Sequence, residues 1–116
     1  MVRTLIMAIA TVALLSGTAA AGNAFLTEYE DLPLPAGLSE LPGGTLFEAP
    51  AGRIVEAQAV GELTAQQVRA FYSETLPQLG WEKTAETTFR RDRELLTIRI
   101  EDRKHPLAVH FSVVPQ

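Results

Sequence analysis

The chain has 116 residues, no cysteine and a formal net charge of −4 at pH 7. Its length is that of one domain. The lack of cysteine excludes disulfide bonds and a lipid anchor attached through cysteine, and the acidic charge excludes nucleic-acid binding, which requires a strongly basic surface.

The first 21 residues have the pattern of a secretory signal peptide. Arg3 supplies the positive start, residues 5–15 form the apolar stretch, and Ala19 to Ala21 provide a small-residue cleavage site. The apolar stretch is short for a bilayer span, which needs about 20 residues. We therefore expect residues 1–21 to be cleaved, leaving a periplasmic or secreted protein without a stable membrane anchor.

Residues 22–51 form a lead-in segment that contains four prolines and four glycines. Because proline disfavours helix in the residue before it, the segment is predicted to be extended, with turns. It is too apolar for a free tail, so we expect its large apolar side chains to pack on the domain. These are Phe25, Leu32, Leu34, Leu38, Leu41, Leu46 and Phe47. The alternative is a proline-rich recognition segment, although its spacing is not PxxP.

The pattern from Thr64 to Trp81 predicts the single helix of the domain. Thr64 and Gln67 have the spacing of a capping box, and Gly80 stands where a left-handed residue would end the helix. Pro77 lacks the N–H group that would bond to a preceding carbonyl, which predicts a kink or a tightened last turn. The apolar stripe of this helix comprises Val68, Phe71, Tyr72, Leu76 and Leu79.

Four further segments have the character of β-strands. Residues 53–62 include the β-forming Ile54, Val55 and Val60, and residues 81–90, which follow the helix, form either one strand or two short strands separated near Glu86. Residues 94–101 and 107–114 alternate regularly between apolar and polar side chains. The short turns between the later strands favour antiparallel pairing. The sequence thus predicts an α+β fold for residues 52–116, with one amphipathic helix on a small antiparallel sheet and the order β-α-β-β-β(β).

The residues that usually carry catalysis or bind metals form no recognisable motif. His105 and His110 lack the spacing of a metal site, and no serine lies in a nucleophile-elbow context. We therefore predict no catalytic, cofactor-binding or metal-binding residues and no cofactor. An enzyme is the less favoured class.

Five basic residues stand in two turns near the C-terminal end of the sequence, and they are the candidate site for an anion or an acidic partner. They are Arg90, Arg91, Arg93, Arg103 and Lys104. The two turns flank one strand and acidic residues lie between them, so the alternative is a solvated, charge-balanced surface.

Residues 71–81, FYSETLPQLGW, resemble an FY-x3-LP-x-LGW phrase in small exported bacterial proteins and lipoproteins of uncharacterised function. The resemblance implies an aromatic helix that leads into a small antiparallel sheet. It implies no catalytic or binding residues, and the missing lipid-attachment cysteine separates this chain from the lipoproteins.

These observations predict a non-enzymatic binding or adaptor domain that contacts another envelope protein. An exposed sheet edge would suffice for this, because strand addition requires no special residues. The alternative is a carrier that holds a small apolar ligand between helix and sheet, for which Tyr72 and Trp81 would be lining residues. A hydrolase of unknown type is a third hypothesis.

Overall fold

A computed structural model describes residues 24–116 of the chain. The predicted signal peptide, residues 1–21, lies outside the described residues. The prediction of an α+β fold is confirmed, because the described part consists mostly of antiparallel strands together with one helix.

The elements are defined in chain order, and the first four strands lie in the lead-in segment. They are β1 (Ala24–Phe25), β2 (Pro33–Leu34), β3 (Leu38–Glu40), β4 (Thr45–Ala49), β5 (Gly52–Gly61), α1 (Ala65–Gln78), β6 (Glu82–Ala85), β7 (Thr88–Arg91), β8 (Glu94–Glu101) and β9 (Leu107–Pro115). The main sheet has the order β3-β5-β9-β8-β7-β6, and β4 also pairs with β5. Every pair in this sheet is antiparallel.

Both predicted ends of α1 are confirmed. The Thr64 side chain accepts a hydrogen bond from the Gln67 backbone, and the Gln67 side chain accepts one from the Thr64 backbone, which completes the capping box. Gly80 has a positive φ of 95°. The backbone N–H of Trp81 donates to the Leu76 carbonyl at 3.0 Å, so the helix ends in a Schellman motif.

Pro77 tightens the last turn of α1, as predicted. The N–H of Leu79 donates to the carbonyl of Leu76, three residues before it, at 2.9 Å. Leu79 itself is exposed and does not belong to the buried stripe, because it lies beyond the helix at the C-cap.

The helix covers one face of the sheet, which we call the core face. Tyr72 of α1 meets Phe111 of β9 edge to face, with ring centroids 5.8 Å apart. The buried residues of β5, β7, β8 and β9 on this face include Val55, Phe89, Leu96, Ile98, Val109 and Val113. The opposite face, here the open face, has no helix over it among the described elements and carries mostly polar side chains.

The lead-in segment divides into a buried half and an exposed half. Leu26, Tyr29, Leu32, Leu34 and Leu38 belong to the same core cluster as the helix and sheet. The expectation that all its large apolar side chains pack on the domain is wrong, because four of them are exposed. These four are Phe25, Leu41, Leu46 and Phe47. The last two lie on β4, which pairs with β5 and with no other described strand.

Candidate functional site

Arg91, one of the five candidate basic residues, binds the lead-in segment and holds it against the sheet. Its guanidinium donates hydrogen bonds to Asp31 at 3.0 Å and to the Tyr29 hydroxyl at 3.1 Å. It also donates a hydrogen bond to the Leu79 carbonyl at 3.0 Å and stacks over the Trp81 ring, with the guanidinium carbon Cζ 4.5 Å from the ring centroid. Arg91 is therefore a structural residue rather than a free anion contact.

The same cluster continues through Glu94, at the first residue of β8. Glu94 accepts hydrogen bonds from the Tyr29 hydroxyl at 2.6 Å and from Arg53 at 2.8 Å. Burial alone raises the pKa of Glu94, but the two hydrogen bonds and the nearby guanidinium groups outweigh burial and hold that pKa below its ordinary value. Burial, together with the hydrogen bond to Glu94, raises the pKa of Tyr29. These hydrogen bonds join the lead-in to β5, β7 and β8 and so stabilise the fold.

The other four basic residues do not form a common patch. Arg90 lies on β7 and Arg93 in the turn that follows it, whereas Arg103 and Lys104 lie at the β8–β9 turn. The eight residues of β8 separate the two turns by roughly 25 Å. Acidic neighbours compensate part of this charge, since Arg90 lies 3.6 Å from Glu82. Lys104 likewise forms an ion pair with Glu101, at 3.9 Å.

A groove of about 620 Å³ is lined by side chains of the open face together with Arg69 of α1 and Glu86 of the β6–β7 turn. Its side chains include Arg99, His110 and Ser112, contributed by β8 and β9. The Ser112 hydroxyl contacts Glu56 at 3.5 Å, and His110 contacts Glu101 at 3.3 Å. Among the hydrogen bonds of residues 24–116, none joins Ser112 to His110. These two side chains are therefore not arranged as nucleophile and base.

The described residues also contain no cluster of three or more side chains suited to hold a metal ion.

The interface between α1 and the sheet is filled by side chains. Between Val68 and Tyr72 of the helix and Phe89 and Ile98 of the sheet, no space admits a molecule as large as water. The Tyr72 hydroxyl, which could have faced a ligand, instead donates a hydrogen bond to the Pro33 carbonyl at 2.7 Å. This packing disfavours a ligand carried between helix and sheet.

The free edge of β4 is the least protected surface of the sheet. Leu46 and Phe47 are 44% and 63% exposed, and the other residues of β4 are exposed or half-buried. Residues 45–49 belong to the predicted lead-in and not to a predicted strand, although the preceding Gly43-Gly44 and the following Pro50 bracket them as strand boundaries. That bracketing was the available signal for this strand.

The opposite edge of the sheet, formed by β6, has the features that normally discourage edge pairing. It carries the charged residues Glu82 and Lys83, and its register with β7 shifts between Lys83 and Ala85, as in a β-bulge. Charges and bulges of this kind block the addition of another strand. β3 is short, with three residues. Among the described strands, β4 alone combines a free edge, five residues and exposed apolar side chains.

Within residues 24–116, no helix is long and apolar enough to cross a membrane. Neither a protein-family model, nor a curated protein, nor a solved structure matches this chain.

Proposed function

We propose that this protein is a non-enzymatic binding domain of the periplasm or the extracellular space, exported by a signal peptide that is cleaved after Ala21. It adds an extended segment of another envelope protein to its sheet at the β4 edge. The binding unit is the β-α-β-β-β-β domain together with the proline- and glycine-rich lead-in packed on it, and it requires no cofactor.

The exposure of the β4 edge carries this proposal. Isolated apolar side chains on a surface are common, but an unprotected edge strand that also exposes Leu46 and Phe47 is a template for strand pairing. The contrast with the charged and bulged β6 edge supports the assignment, because the chain protects one edge and leaves the other free.

The register of the β4–β5 hairpin indicates which backbone groups are available. The two-residue turn Pro50-Ala51 joins Ala49 to its partner Gly52, and such a turn closes on a hydrogen-bonded pair. Because hydrogen-bonded pairs alternate along antiparallel strands, the N–H and C=O groups of Leu46 and Glu48 are expected to face the free edge.

The two other functions have less support. A carrier would need a cavity between α1 and the sheet, and the space between Tyr72 of α1 and Phe89 and Ile98 of the sheet does not admit even a water molecule. A hydrolase would need an activated nucleophile, whereas Ser112 and His110 contact separate glutamates.

Site-specific cross-linking in the cell envelope tests the proposal. A photoreactive residue replacing Phe47 should form an adduct with a partner protein, and the same residue replacing Lys83 on the β6 edge should not. Glu48→Pro removes an outward N–H group and should abolish the adduct, while Glu48→Gln, which removes the charge but keeps the N–H group, should only reduce its yield. Adducts of equal yield and mass from both edges would refute the proposed site.

A further inference from the structure

We infer that the segment bound at the β4 edge is a basic strand, in which lysine or arginine alternates with apolar residues. This inference rests on the proposed function and specifies its partner. It follows from the different chemistry that β4 and its neighbours present on the two faces of the sheet.

The core-face side of the β4 edge is acidic. Leu46 is paired with the buried Val55, so Leu46 and Glu48 lie on the core-face side of the sheet. At the start of β4, a Cβ on Gly44 would lie 3.3 Å from the Glu28 side chain and 3.6 Å from a Glu40 carboxylate oxygen. Carboxylates therefore flank Leu46 in both directions along the strand.

These carboxylates have no cationic partner within the described part of the chain. Arg53 lies opposite Glu48 in the register but is bound to Glu94 at 2.8 Å. Among residues 24–116, Glu40 accepts hydrogen bonds only from the backbone N–H and the hydroxyl of Thr27. Residues 24–62 contain seven acidic residues and a single basic one, so the surroundings of the edge add to the negative potential.

The open-face side of the same edge is apolar at its centre. Phe47 is paired with Ile54, and both side chains lie on this face. Successive side chains of an added strand point to opposite faces. Those on the open face would pack against Phe47, while those on the core-face side would lie beside Glu40 and Glu48, with lysine stems covering Leu46.

A second copy of this chain is a less suitable occupant. Antiparallel pairing of two β4 strands about Phe47 would place Glu48 of each copy beside Leu46 of the other. It would also bring two sets of unpaired carboxylates together at one edge, and like charges across an interface oppose association. The chain as a whole is acidic, with a net charge of −4.

Labelled peptides of equal length, titrated into the mature protein and followed by fluorescence anisotropy, test the inference. One alternates lysine with valine, one threonine with valine and one glutamate with valine. A fourth has the lysine–valine composition in two blocks. Exposed ion pairs are individually weak, so two or three together should make the alternating lysine peptide bind about tenfold more tightly than the threonine peptide.

Charge variants of the protein locate the effect. The double variant Glu40→Gln/Glu48→Gln should weaken binding of the lysine–valine peptide about tenfold and leave the threonine–valine peptide unchanged. Glu74→Gln/Glu86→Gln, which removes the same charge from the helix and the β6–β7 turn, should change neither.

The possible failures are distinguishable. Equal affinities for the lysine and threonine peptides would overturn the basic partner but leave strand addition intact. Binding of the block peptide as tightly as the alternating one would show that charge alone attracts the peptide, and it would overturn the alternation. Absence of binding by every alternating peptide would overturn the inference and count against the proposed function. A dimer that becomes a monomer in Glu48→Pro would assign the edge to a second copy.

Discussion

Substitution of Tyr72 by phenylalanine should destabilise the protein although it leaves the ring in place. The Tyr72 side chain is buried, and its hydroxyl donates to the Pro33 carbonyl across 39 residues of sequence at 2.7 Å. Tyr72→Phe removes this donor where water cannot readily replace it, which typically costs about 1–3 kcal/mol. For a domain of this size, each kcal/mol lowers the melting temperature by roughly 4–8 °C.

Thr84→Val is the matched control, because it also removes a hydroxyl that donates to a backbone carbonyl. The Thr84 hydroxyl bonds to the Thr88 carbonyl at 3.2 Å on an exposed strand, where water can take its place. This change should alter the free energy of unfolding by less than about 0.5 kcal/mol.

Urea unfolding followed by tryptophan fluorescence provides the measurement. Trp81 is the only tryptophan and is 2% exposed, and its ring meets that of Tyr29 in the lead-in at 6.3 Å. The lead-in and the domain should therefore unfold in one transition. The slope of the free energy of unfolding against urea concentration should be the same in both variants. If Tyr72→Phe and Thr84→Val have equal stabilities, the hydrogen bond to Pro33 does not hold the lead-in, and the reasoning fails.

Three further changes test other parts of the fold. Thr64→Ala removes the N-cap of α1 and should cost about 1 kcal/mol in thermal unfolding; an unchanged melting temperature would contradict the cap. Gly61→Ala places a methyl group against the Gly37 carbonyl, so β3 must shift, at a cost of about 1–3 kcal/mol by the same measurement. The pKa of Glu94 is lowered in the folded protein, so its contribution is present above about pH 4.5 and is lost as the pH falls through the folded-state pKa. Glu94→Gln should consequently lose less stability than the wild type between pH 7 and pH 3 in urea unfolding, and an equal loss would argue against this role.

The helix and the last two strands could be predicted because their signals are local. Thr64 and Gln67 stand within one helical turn of each other, and Gly80 marks the end of α1 without reference to any distant residue. The alternation in residues 94–101 and 107–114 defines the buried face of β8 and β9 directly. The break near Glu86 is likewise confirmed as the turn between β6 and β7.

The candidate site could not be predicted because it depends on contacts between distant parts of the sequence. β4 becomes an edge strand only when β5 also pairs with β9, whose residues lie far along the chain. The role of Arg91 was missed for the same reason, since its partners Tyr29 and Asp31 lie about sixty residues away. The sequence shows a cluster of basic residues at this turn, but only the tertiary structure shows that Arg91 binds Tyr29 and Asp31 of the lead-in.

The two halves of the lead-in separate stability from binding. The buried half, residues 26–38, supplies core side chains and accepts the Tyr72 hydrogen bond, whereas β4 supplies exposed ones. Full burial of each large apolar side chain is worth about 1.5–3 kcal/mol before the conformational entropy lost by ordering the segment is subtracted, so the buried half is the part of the lead-in that stabilises the fold. The β4 edge contributes little of this burial, and it is therefore free to carry residues suited to a partner. Tyr72→Phe should then lower stability without changing peptide affinity. Glu40→Gln/Glu48→Gln should weaken peptide binding without changing stability.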